Sequence, residues 1–391
     1  MIRTLPQRPA RTERAKLDTV ETPALVLDQR KLDRNVARLK RHLDGLGVAL
    51  RPHVKTAKSI EVARRLFPDG VGPITVSTLA EAEYFAAAGL TDIVYAVGLA
   101  PEKIGRACVL VAQGVDLAVL IDSTAQASAL AEAAQAGAAM PAVLIEIDCD
   151  GHRGGLRPDD MKIIEIAEVL KGGGLEVRGV LTHAGESYAC RAGVGLPEAA
   201  EGERVAAVSA AQLLRSHGHG APVVSVGSTP TAHFARSLEG VTEVRAGVFQ
   251  FFDLVMHGIG VCAVDDIAIS VLATVIGLRP EKGWILIDAG WMAMSRDRGT
   301  QRHPVDQGYG LVCDIDGKPW PDLIVDDASQ EHGIIAVRAG SGAALPALAI
   351  GERVRILPNH ACATGAQHDA YQVVETGSRD VVGTWPRMRG W

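Results

Sequence analysis

The chain has 391 residues, of which 47% are hydrophobic and 22% are charged, and its formal net charge is −6. This length and composition are enough to bury one large and one smaller core, so we expect two domains. Because the modest charge is mixed in sign along the chain, we expect a small-molecule substrate and no nucleic-acid partner. No apolar run is as long as a membrane span and the N-terminus has no signal-peptide pattern, so we expect no membrane association and a cytoplasmic location.

The six cysteines are widely spaced and form no CxxC pair. This spacing is typical of reduced thiols in a reducing compartment. We interpret five of them as small core residues. The sixth, Cys362, belongs to a motif near the end of the chain.

The first predicted elements are a strand at residues 24–27 and a helix at residues 28–46. We expect the strand to pair with a β domain formed by the other end of the chain. Residues 1–30 are therefore predicted to be an N-terminal arm and strand that join the C-terminal domain.

Residues 31–252 alternate short β-branched runs with longer segments rich in Ala, Leu and Glu, which is typical of repeated βα units. Eight strands are predicted, at residues 48–55, 73–78, 92–97, 116–122, 142–148, 177–183, 223–228 and 243–247. Helices are predicted between them at residues 79–88, 101–113, 123–136, 158–170 and 203–217. Eight parallel strands with crossover helices predict an α/β fold with a (β/α)8 barrel of the TIM type. A doubly wound open sheet stays possible, although no GxGxxG follows an early strand.

Residues 253–391 have shorter apolar runs that are separated by Gly, Asp and Pro turns. The runs lie at residues 267–276, 284–288, 310–313, 334–338, 353–358 and 371–375. This part of the chain is predicted to be a second, mostly antiparallel β domain.

Side chains that can act in catalysis are concentrated at the predicted carboxyl ends of the barrel strands, where the active sites of such barrels lie. Lys55 or Lys58 can form a Schiff base if neighbouring cations such as Arg51 and His53 lower the lysine pKa. The alternative is a solvated surface lysine. The residues themselves do not choose between Lys55 and Lys58.

The turn at residues 227–229 follows the seventh barrel strand and contains Gly227, Ser228 and Thr229. Small residues, hydroxyls and backbone N–H groups at this place are typical of a phosphate site, or of an ordinary capped turn. A reactive lysine and a phosphate site together indicate a phosphate-bearing aldehyde cofactor.

His360 and Cys362 stand two residues apart after a predicted strand. In extended chain such side chains point to the same side, so an imidazole and a thiolate can bind one divalent cation such as Zn²⁺. A buried histidine beside a core cysteine is the alternative interpretation.

Eight motifs in this order resemble the fold-type III pyridoxal-phosphate enzymes of the D-serine dehydratase and D-threonine aldolase family, which are relatives of alanine racemase. They are RPHVKTAK at residues 51–58, IDCDGHR at 147–153, LTHAG at 181–185, VSVGSTPT at 224–231, TEVRAG at 242–247, DAGWMAMSRD at 288–297, QEHG at 330–333 and PNHACAT at 358–364. The resemblance runs from about residue 20 to the C-terminus. It implies that residues 31–252 are the pyridoxal-phosphate barrel and that residues 253–391 carry a metal site.

The resemblance also implies a role for each matching residue. Lys55 carries the cofactor, His183 packs against its pyridine ring, and Arg153 lies near the ring oxygen. Tyr188 lies with residues 227–229 at or near the phosphate. Arg245 faces the pyridine nitrogen, where a guanidinium would keep that nitrogen unprotonated.

Within the family, the segment His360-Ala-Cys362-Ala-Thr364 resembles the HxC motif of the dehydratases, whereas the aldolases typically have HxD there. The aldolases also carry an aspartate at the position of Gln330. The implied enzyme is a lyase that converts a 3-hydroxy-D-amino acid, of the 3-hydroxyaspartate, D-serine or D-threonine class, to a 2-oxo acid and ammonia. In this hypothesis Lys55 removes the Cα proton, and a divalent metal on His360 and Cys362 (Zn²⁺, or Mn²⁺, Mg²⁺ or Co²⁺) assists departure of the 3-hydroxyl. The family also implies a homodimer.

The leading alternative is a D-threonine-type aldolase that yields glycine and an aldehyde. An amino acid racemase would need a second proton donor, and the C-terminal domain offers no convincing tyrosine for it. A non-catalytic pyridoxal-phosphate carrier would need only the barrel, so the additional β domain argues against it.

Overall fold

The computed structural model of the protein describes residues 15–191 and 195–391. Its strands form an eight-stranded and a nine-stranded sheet. The strands are β1 (Ala24–Asp28), β2 (Ala49–Leu50), β3 (Ile74–Val76), β4 (Asp92–Gly98), β5 (Asp116–Ile121), β6 (Ala142–Ile147), β7 (Val177–Thr182), β8 (Val223–Val226), β9 (Glu243–Val244), β10 (Ile269–Arg279), β11 (Trp284–Ile287), β12 (Gly310–Asp314), β13 (Pro319–Ala328), β14 (Gly333–Val337), β15 (Arg353–Pro358), β16 (Ala370–Val374) and β17 (Gly383–Pro386). The α-helices are α1 (Gln29–Gly45), α2 (Ile60–Arg65), α3 (Leu79–Ala87), α4 (Ile104–Ala112), α5 (Thr124–Gln135), α6 (Lys162–Gly172), α7 (Leu196–Ser216), α8 (Thr229–Phe234), α9 (Leu254–Gly258), α10 (Trp291–Met294) and α11 (Ala361–Gly365).

The eight-stranded sheet is parallel, in the order β2-β9-β8-β7-β6-β5-β4-β3. Its two outer strands are joined by a short bridge, because the N–H of Thr75 donates to the carbonyl of Pro52 and the N–H of Val54 donates to the carbonyl of Thr75, each at 2.9 Å. The sheet is therefore a closed barrel. The predicted (β/α)8 fold is confirmed, and the open-sheet alternative is wrong.

Side chains of the barrel strands alternate between the interior and the surrounding helices, as the two-residue period of a strand requires. Leu117 and Val119 of β5 belong to the large core that the helices share, whereas Ala118 and Leu120 belong to a separate inner cluster. Leu181 of that inner cluster also lines a cavity at the carboxyl ends of the strands.

Helix α1 shows why the first predicted helix forms where it does. The carboxylate of Asp28 accepts hydrogen bonds from the N–H groups of Arg30 and Lys31, which caps the helix at its N-terminus. Four apolar side chains at three- and four-residue spacing are buried on one face of the helix. They are Leu32, Val36, Leu39 and Leu43.

The second sheet contains a closed ring of six antiparallel strands, β10-β11-β14-β13-β12-β15, in which β15 pairs back to β10. Strand β1 pairs antiparallel with β10 and parallel with β16, and β17 follows at the edge. The first strand of the described chain thus lies inside the sheet of the second domain.

The sequence analysis did not predict strands β13 and β17, and it predicted a shorter helix than the observed α7. Strand β13 begins with two prolines that suggest a turn, and β17 is only four residues long. Helix α7 begins seven residues before the predicted start, with Gly195 at its N-cap and Pro197 in its first turn. Within the described ranges, no helix is both long and apolar enough to cross a membrane.

Candidate active site

A cavity of about 450 Å³ lies between the carboxyl ends of the barrel strands and the second domain. Every residue that was predicted to bind the cofactor or the metal lines it: Lys55, Arg153, His183, Tyr188, Gly227, Ser228, Thr229, Arg245, His360 and Cys362. The fold therefore brings together side chains that are separated by up to about 300 positions in the sequence.

The structure separates the two candidate lysines. Lys55 lines the cavity, whereas the amine of Lys58 forms an ion pair with the buried carboxylate of Glu81 at 3.1 Å. An amine that is held by a buried carboxylate is a poor nucleophile, because it must lose this partner before it can react. The geometry favours Lys55.

The two expected cationic neighbours of the lysine are not found. Arg51 follows β2, and its side chain forms ion pairs with the first residues of β4 and β9, Asp92 and Glu243, each at 2.7 Å. His53 does line the cavity, but burial and the nearby charge of Lys55 hold its pKa well below the usual histidine value. His53 is therefore a neutral imidazole near pH 7, and the expectation of a cationic pair is wrong.

His183 forms part of the cavity wall at the end of β7. Its Nδ1 donates a hydrogen bond to the carbonyl oxygen of Gly227 at 2.9 Å. Burial lowers the pKa of His183 to about 3 despite this hydrogen bond, so the ring is neutral near pH 7. The ring centroids of His183 and Tyr188 are 6.3 Å apart. A neutral imidazole that is fixed in this way suits contact with a flat aromatic ring.

The turn at residues 227–229 joins β8 to α8. Gly227 has a φ of 143°, and a Cβ atom there would overlap the carbonyl oxygen of Arg245, so the position requires glycine. The hydroxyl of Ser228 accepts from the N–H of Thr231 at 3.3 Å and caps α8. This corner of the cavity combines small residues with hydroxyl and N–H donors, which fits a phosphate group.

Gly247 and Val248, which follow β9, line the same cavity and were given no role in the sequence interpretation. A Cβ atom on Gly247 would lie 3.0 Å from the hydroxyl of Thr56, so the backbone passes close to its neighbours at this point. The backbone N–H groups of Gly247 and Val248 are further candidate donors to a phosphate. The signal was available in the sequence, because the motif at residues 242–247 ends at this glycine.

Arg245 is only 4% exposed and is held by hydrogen bonds inside the barrel. Its Nη1 donates to the hydroxyl of Ser225 at 2.7 Å, and its Nη2 donates to the carbonyl oxygen of Thr182 at 2.5 Å. Ser225 in turn donates to Glu243 at 2.6 Å. Burial lowers the pKa of Arg245 to about 10, so a fixed positive charge faces the cavity near pH 7.

A charged loop follows β6, and the side chain of Arg153 in this loop reaches the cavity. His152 pairs with Glu186 at 2.9 Å, and Asp150 accepts from the N–H of Glu186 at 2.8 Å. These contacts fasten the loop to the segment after β7 at the cavity rim.

The HxC segment differs from its expected local conformation. Strand β15 ends at Pro358, His360 is the N-cap of α11, and Cys362 lies in the first turn of that helix. The predicted extended segment is therefore wrong, because the Ala-rich run after His360 forms a helical turn instead. Asp253 fixes this turn, since its buried carboxylate accepts from the N–H of Ala361 at 2.9 Å.

His360 lies between Asp297 and Cys362. Its Nδ1 is 2.5 Å from a carboxylate oxygen of Asp297, which leaves the other ring nitrogen toward Cys362. Burial acts to lower the pKa of His360, but its hydrogen bonds to Asp297 and Cys362 raise it to about 11. Burial acts to raise the pKa of Cys362, but the hydrogen bond and charge of His360 lower it overall. The hydroxyl of Thr56 lies 3.2 Å from the Cys362 sulfur.

This pair fits a divalent cation of the kind that nitrogen and sulfur ligands prefer. A cation would replace the proton that the imidazole and thiolate share. Among the residues that the structure describes, no group of three or more His, Cys, Asp or Glu side chains is arranged around one metal position. Within the described ranges, His360 and Cys362 are therefore a candidate pair of ligands.

Comparisons with known proteins identify the class of this fold and site. The profile of the alanine racemase N-terminal domain matches residues 27–254, and the profile of a putative serine dehydratase domain matches residues 268–374. The chain belongs to this family of alanine racemase-like serine dehydratases. Family membership implies pyridoxal phosphate and a metal as its two bound groups, and the predicted resemblance is confirmed.

Among individual relatives, the chain is 52% identical over 376 residues to D-threo-3-hydroxyaspartate dehydratase from Delftia sp. (strain HT23), covering 95% of this chain and 98% of the relative. The solved structure of that enzyme matches with a TM-score of 0.92, covering 96% of this chain and 100% of the other. A mutant of it, 51% identical and with the same TM-score and coverage, was solved in the metal-free form. D-threonine aldolase from Arthrobacter sp. is 30% identical, covering 92% of this chain and 91% of the relative.

Sequence interpretation missed three residues that position the HxC pair: Asp297, Asp253 and Thr56. Asp297 ends the motif at residues 288–297, and Thr56 follows Lys55 directly, so both were present in motifs without a role. Asp253 had no signal, because a lone aspartate beyond the last barrel strand is a common surface residue.

Proposed function

We propose that this protein is a pyridoxal-phosphate- and divalent-metal-dependent lyase that converts a 3-hydroxy-D-amino acid to a 2-oxo acid and ammonia. The observation that carries this proposal is that Lys55 and the His360–Cys362 pair open into one cavity of about 450 Å³, a size that suits one cofactor and one small substrate. The 52% identity to a 3-hydroxyaspartate dehydratase supports the same reaction type. We propose 3-hydroxyaspartate, D-serine and D-threonine as the substrates to compare.

In this proposal residues 31–252 hold the cofactor. Lys55 carries it, His183 contacts the ring, Arg153 lies near the ring oxygen, and Arg245 faces the pyridine nitrogen. Tyr188 and the turn at residues 227–229 hold the phosphate. When bound, pyridoxal phosphate delocalises the negative charge that develops at the substrate Cα.

Lys55 takes the Cα proton in the proposed reaction. His183 and His53 are neutral near pH 7 because of burial, so they can line the cavity without competing as charged acids. The substrate loses one water molecule, as the proton from Cα and the hydroxyl from Cβ. The released enamine rearranges to an imine, which takes up one water molecule to give the 2-oxo acid and ammonia.

Residues 253–391 hold the metal in this proposal, with His360 and Cys362 as protein ligands and Asp297 behind the histidine. We propose Zn²⁺, with Mn²⁺, Mg²⁺ and Co²⁺ as the alternatives to test. A metal at this site supplies Lewis-acid assistance to the departing 3-hydroxyl.

Dehydration is favoured over aldol cleavage by the HxC pair and by the larger identity to the dehydratase, 52% against 30% for the aldolase.

We further propose that the enzyme is a cytoplasmic homodimer. The six cysteines are free thiols in the structure, which supports a reducing compartment.

Product analysis tests the proposed reaction. Purified enzyme with pyridoxal phosphate is incubated with D-threo-3-hydroxyaspartate, D-serine or D-threonine, with and without added Zn²⁺, and the 2-oxo acid, ammonia and glycine are measured. We expect equal amounts of 2-oxo acid and ammonia, loss of activity after exhaustive chelation, and recovery when the metal is restored. Glycine with an aldehyde would instead identify an aldolase, and unchanged ammonia release after chelation would contradict the metal role.

A further inference from the structure

Glu203 is a buried charged residue that the proposed chemistry does not use. It lies in the middle of α7, which packs outside β7 and β8, and it is 2% exposed. On the helix it occupies the same buried stripe as Ala200 and Ala207. A glutamate at such a position is costly unless its carboxylate is fully hydrogen-bonded.

Three donors satisfy this carboxylate. Its Oε1 accepts from the backbone N–H groups of Ala184 and Gly227, each at 2.9 Å, and its Oε2 accepts from the hydroxyl of Thr231 at 2.7 Å. Burial raises the pKa of Glu203, and the three hydrogen bonds oppose this effect. The three donors suit a carboxylate, because an ionised carboxylate only accepts hydrogen bonds.

The three donors belong to the two segments that form one end of the cavity. Ala184 follows His183 directly, and Gly227 begins the turn at residues 227–229. The peptide groups of Gly227 are held from both sides, since its N–H donates to Glu203 and its carbonyl accepts from His183. The N–H of Gly227 is therefore occupied by Glu203, which fixes the start of the proposed phosphate-binding turn.

Thr231 extends the same connection into α8. Its hydroxyl donates to Glu203 and also accepts from the N–H of Ser228 at 3.0 Å. The carboxylate thus reaches the residues on both sides of the proposed phosphate contacts. Glu203 itself does not line the cavity.

We propose that Glu203 is a positioning residue that holds the phosphate-binding turn at residues 227–229 against the segment carrying His183, without touching the cofactor. This inference rests on the proposed pyridoxal-phosphate site. Its distinctive consequence is that loss of Glu203 weakens binding of the phosphate group more than binding of the pyridine ring.

The test compares pyridoxal phosphate with pyridoxal, which lacks the phosphate, as ligands of the apoprotein. Each ligand is added in increasing concentration to the apoprotein of the wild type, E203A, E203Q and T231V, and its Kd is obtained from the change in absorbance. Glu201, which is exposed on the same helix and pairs with Arg204, provides the control variant E201A. Circular dichroism and Tm show that each variant is folded.

We expect E203A to raise the Kd for pyridoxal phosphate by about tenfold or more, because two buried N–H groups lose a charged acceptor. Its Kd for pyridoxal should change less than about threefold, as should both Kd values of E201A. E203Q keeps one acceptor oxygen, so a smaller loss of about three- to tenfold is expected, and T231V should behave like E203Q. If E203A does not fold, E203Q and T231V decide the question by the same comparison.

Two results would overturn the inference: pyridoxal-phosphate binding within about threefold of wild type in the folded Glu203 variants, or an equal loss for pyridoxal. These outcomes differ from failure of the proposed function. In that case the wild-type apoprotein itself would bind neither ligand.

Discussion

Asp297 determines how His360 faces the cavity. Its carboxylate lies 2.5 Å from Nδ1 of the histidine, so the ring presents its other nitrogen toward Cys362. Carboxylates in this position behind a ligating histidine fix the ring and increase its basicity as a ligand. The proposed metal site therefore depends on Asp297, a residue that contacts the candidate ligand His360.

The variant D297A should raise the Kd for Zn²⁺ by about ten- to a hundredfold, because the histidine loses its orienting partner. The affinity is measured by competition with a chelating dye, which does not depend on turnover. D326N changes an exposed aspartate of the same domain and should bind the metal like the wild type. Unchanged affinity in D297A would show that the Asp297 contact does not position the ligand.

Individual contacts also favour Lys55 over Lys58 as the cofactor-binding lysine. Because Lys58 pairs with Glu81 and Lys55 lines the cavity, borohydride reduction of the holoenzyme should attach the pyridoxyl group to Lys55. Peptide mapping by mass spectrometry locates the label. The variant K58M should keep the label on Lys55, and a label on Lys58 in the wild type would refute the assignment.

Strand β1 shows how a short element can stabilise a distant part of the fold. It lies between β10 and β16 in the second domain, and all five of its residues are buried. The sequence predicted the strand and its pairing with the C-terminal domain, but it did not predict that β10 and β16, more than 200 positions away, are its neighbours. Strand pairing over such a distance depends on the complete fold.

The variant L27A should lower the free energy of unfolding by about 2–5 kcal/mol, because Leu27 is fully buried and its removal leaves a cavity. Chemical denaturation of the apoprotein, followed by circular dichroism, measures the change. The control V109A removes a side chain that is 56% exposed and should shift stability by less than about 0.5 kcal/mol. If L27A and V109A have similar free energies of unfolding, the conclusion that β1 stabilises the second domain is contradicted.

Helix α7 and the HxC turn show where local patterns mislead. The predicted helix at residues 203–217 is too short, because α7 already begins after Gly195 at its N-cap, with Pro197 in its first turn. His360 and Cys362 were expected in extended chain, and they meet instead at the start of α11. For the HxC turn the sequence located the right residues but not their backbone conformation, whereas for α7 it missed the first seven residues of the helix.

For the whole molecule, the fold class and the family were predicted from the sequence and are confirmed. The order of eight barrel strands and the set of motifs are local properties, because the two- and 3.6-residue periods record which side of each element is buried. Nine of the ten predicted site residues stand in these motifs, Tyr188 being the exception, and all ten are among the residues that line the cavity. Their individual roles stay predictions until the experiments above are carried out.

Only the tertiary structure decided three features: closure of the barrel through Thr75, the neutral state of His53 and His183, and the contacts of Asp297 and Glu203. Each depends on distances between residues that are far apart in the chain, or on burial inside a completed core. Spacing along a sequence records the periodicity of single elements. It does not specify which individual side chains come into contact, so these long-range contacts and the pKa values they shift are seen only in the folded chain.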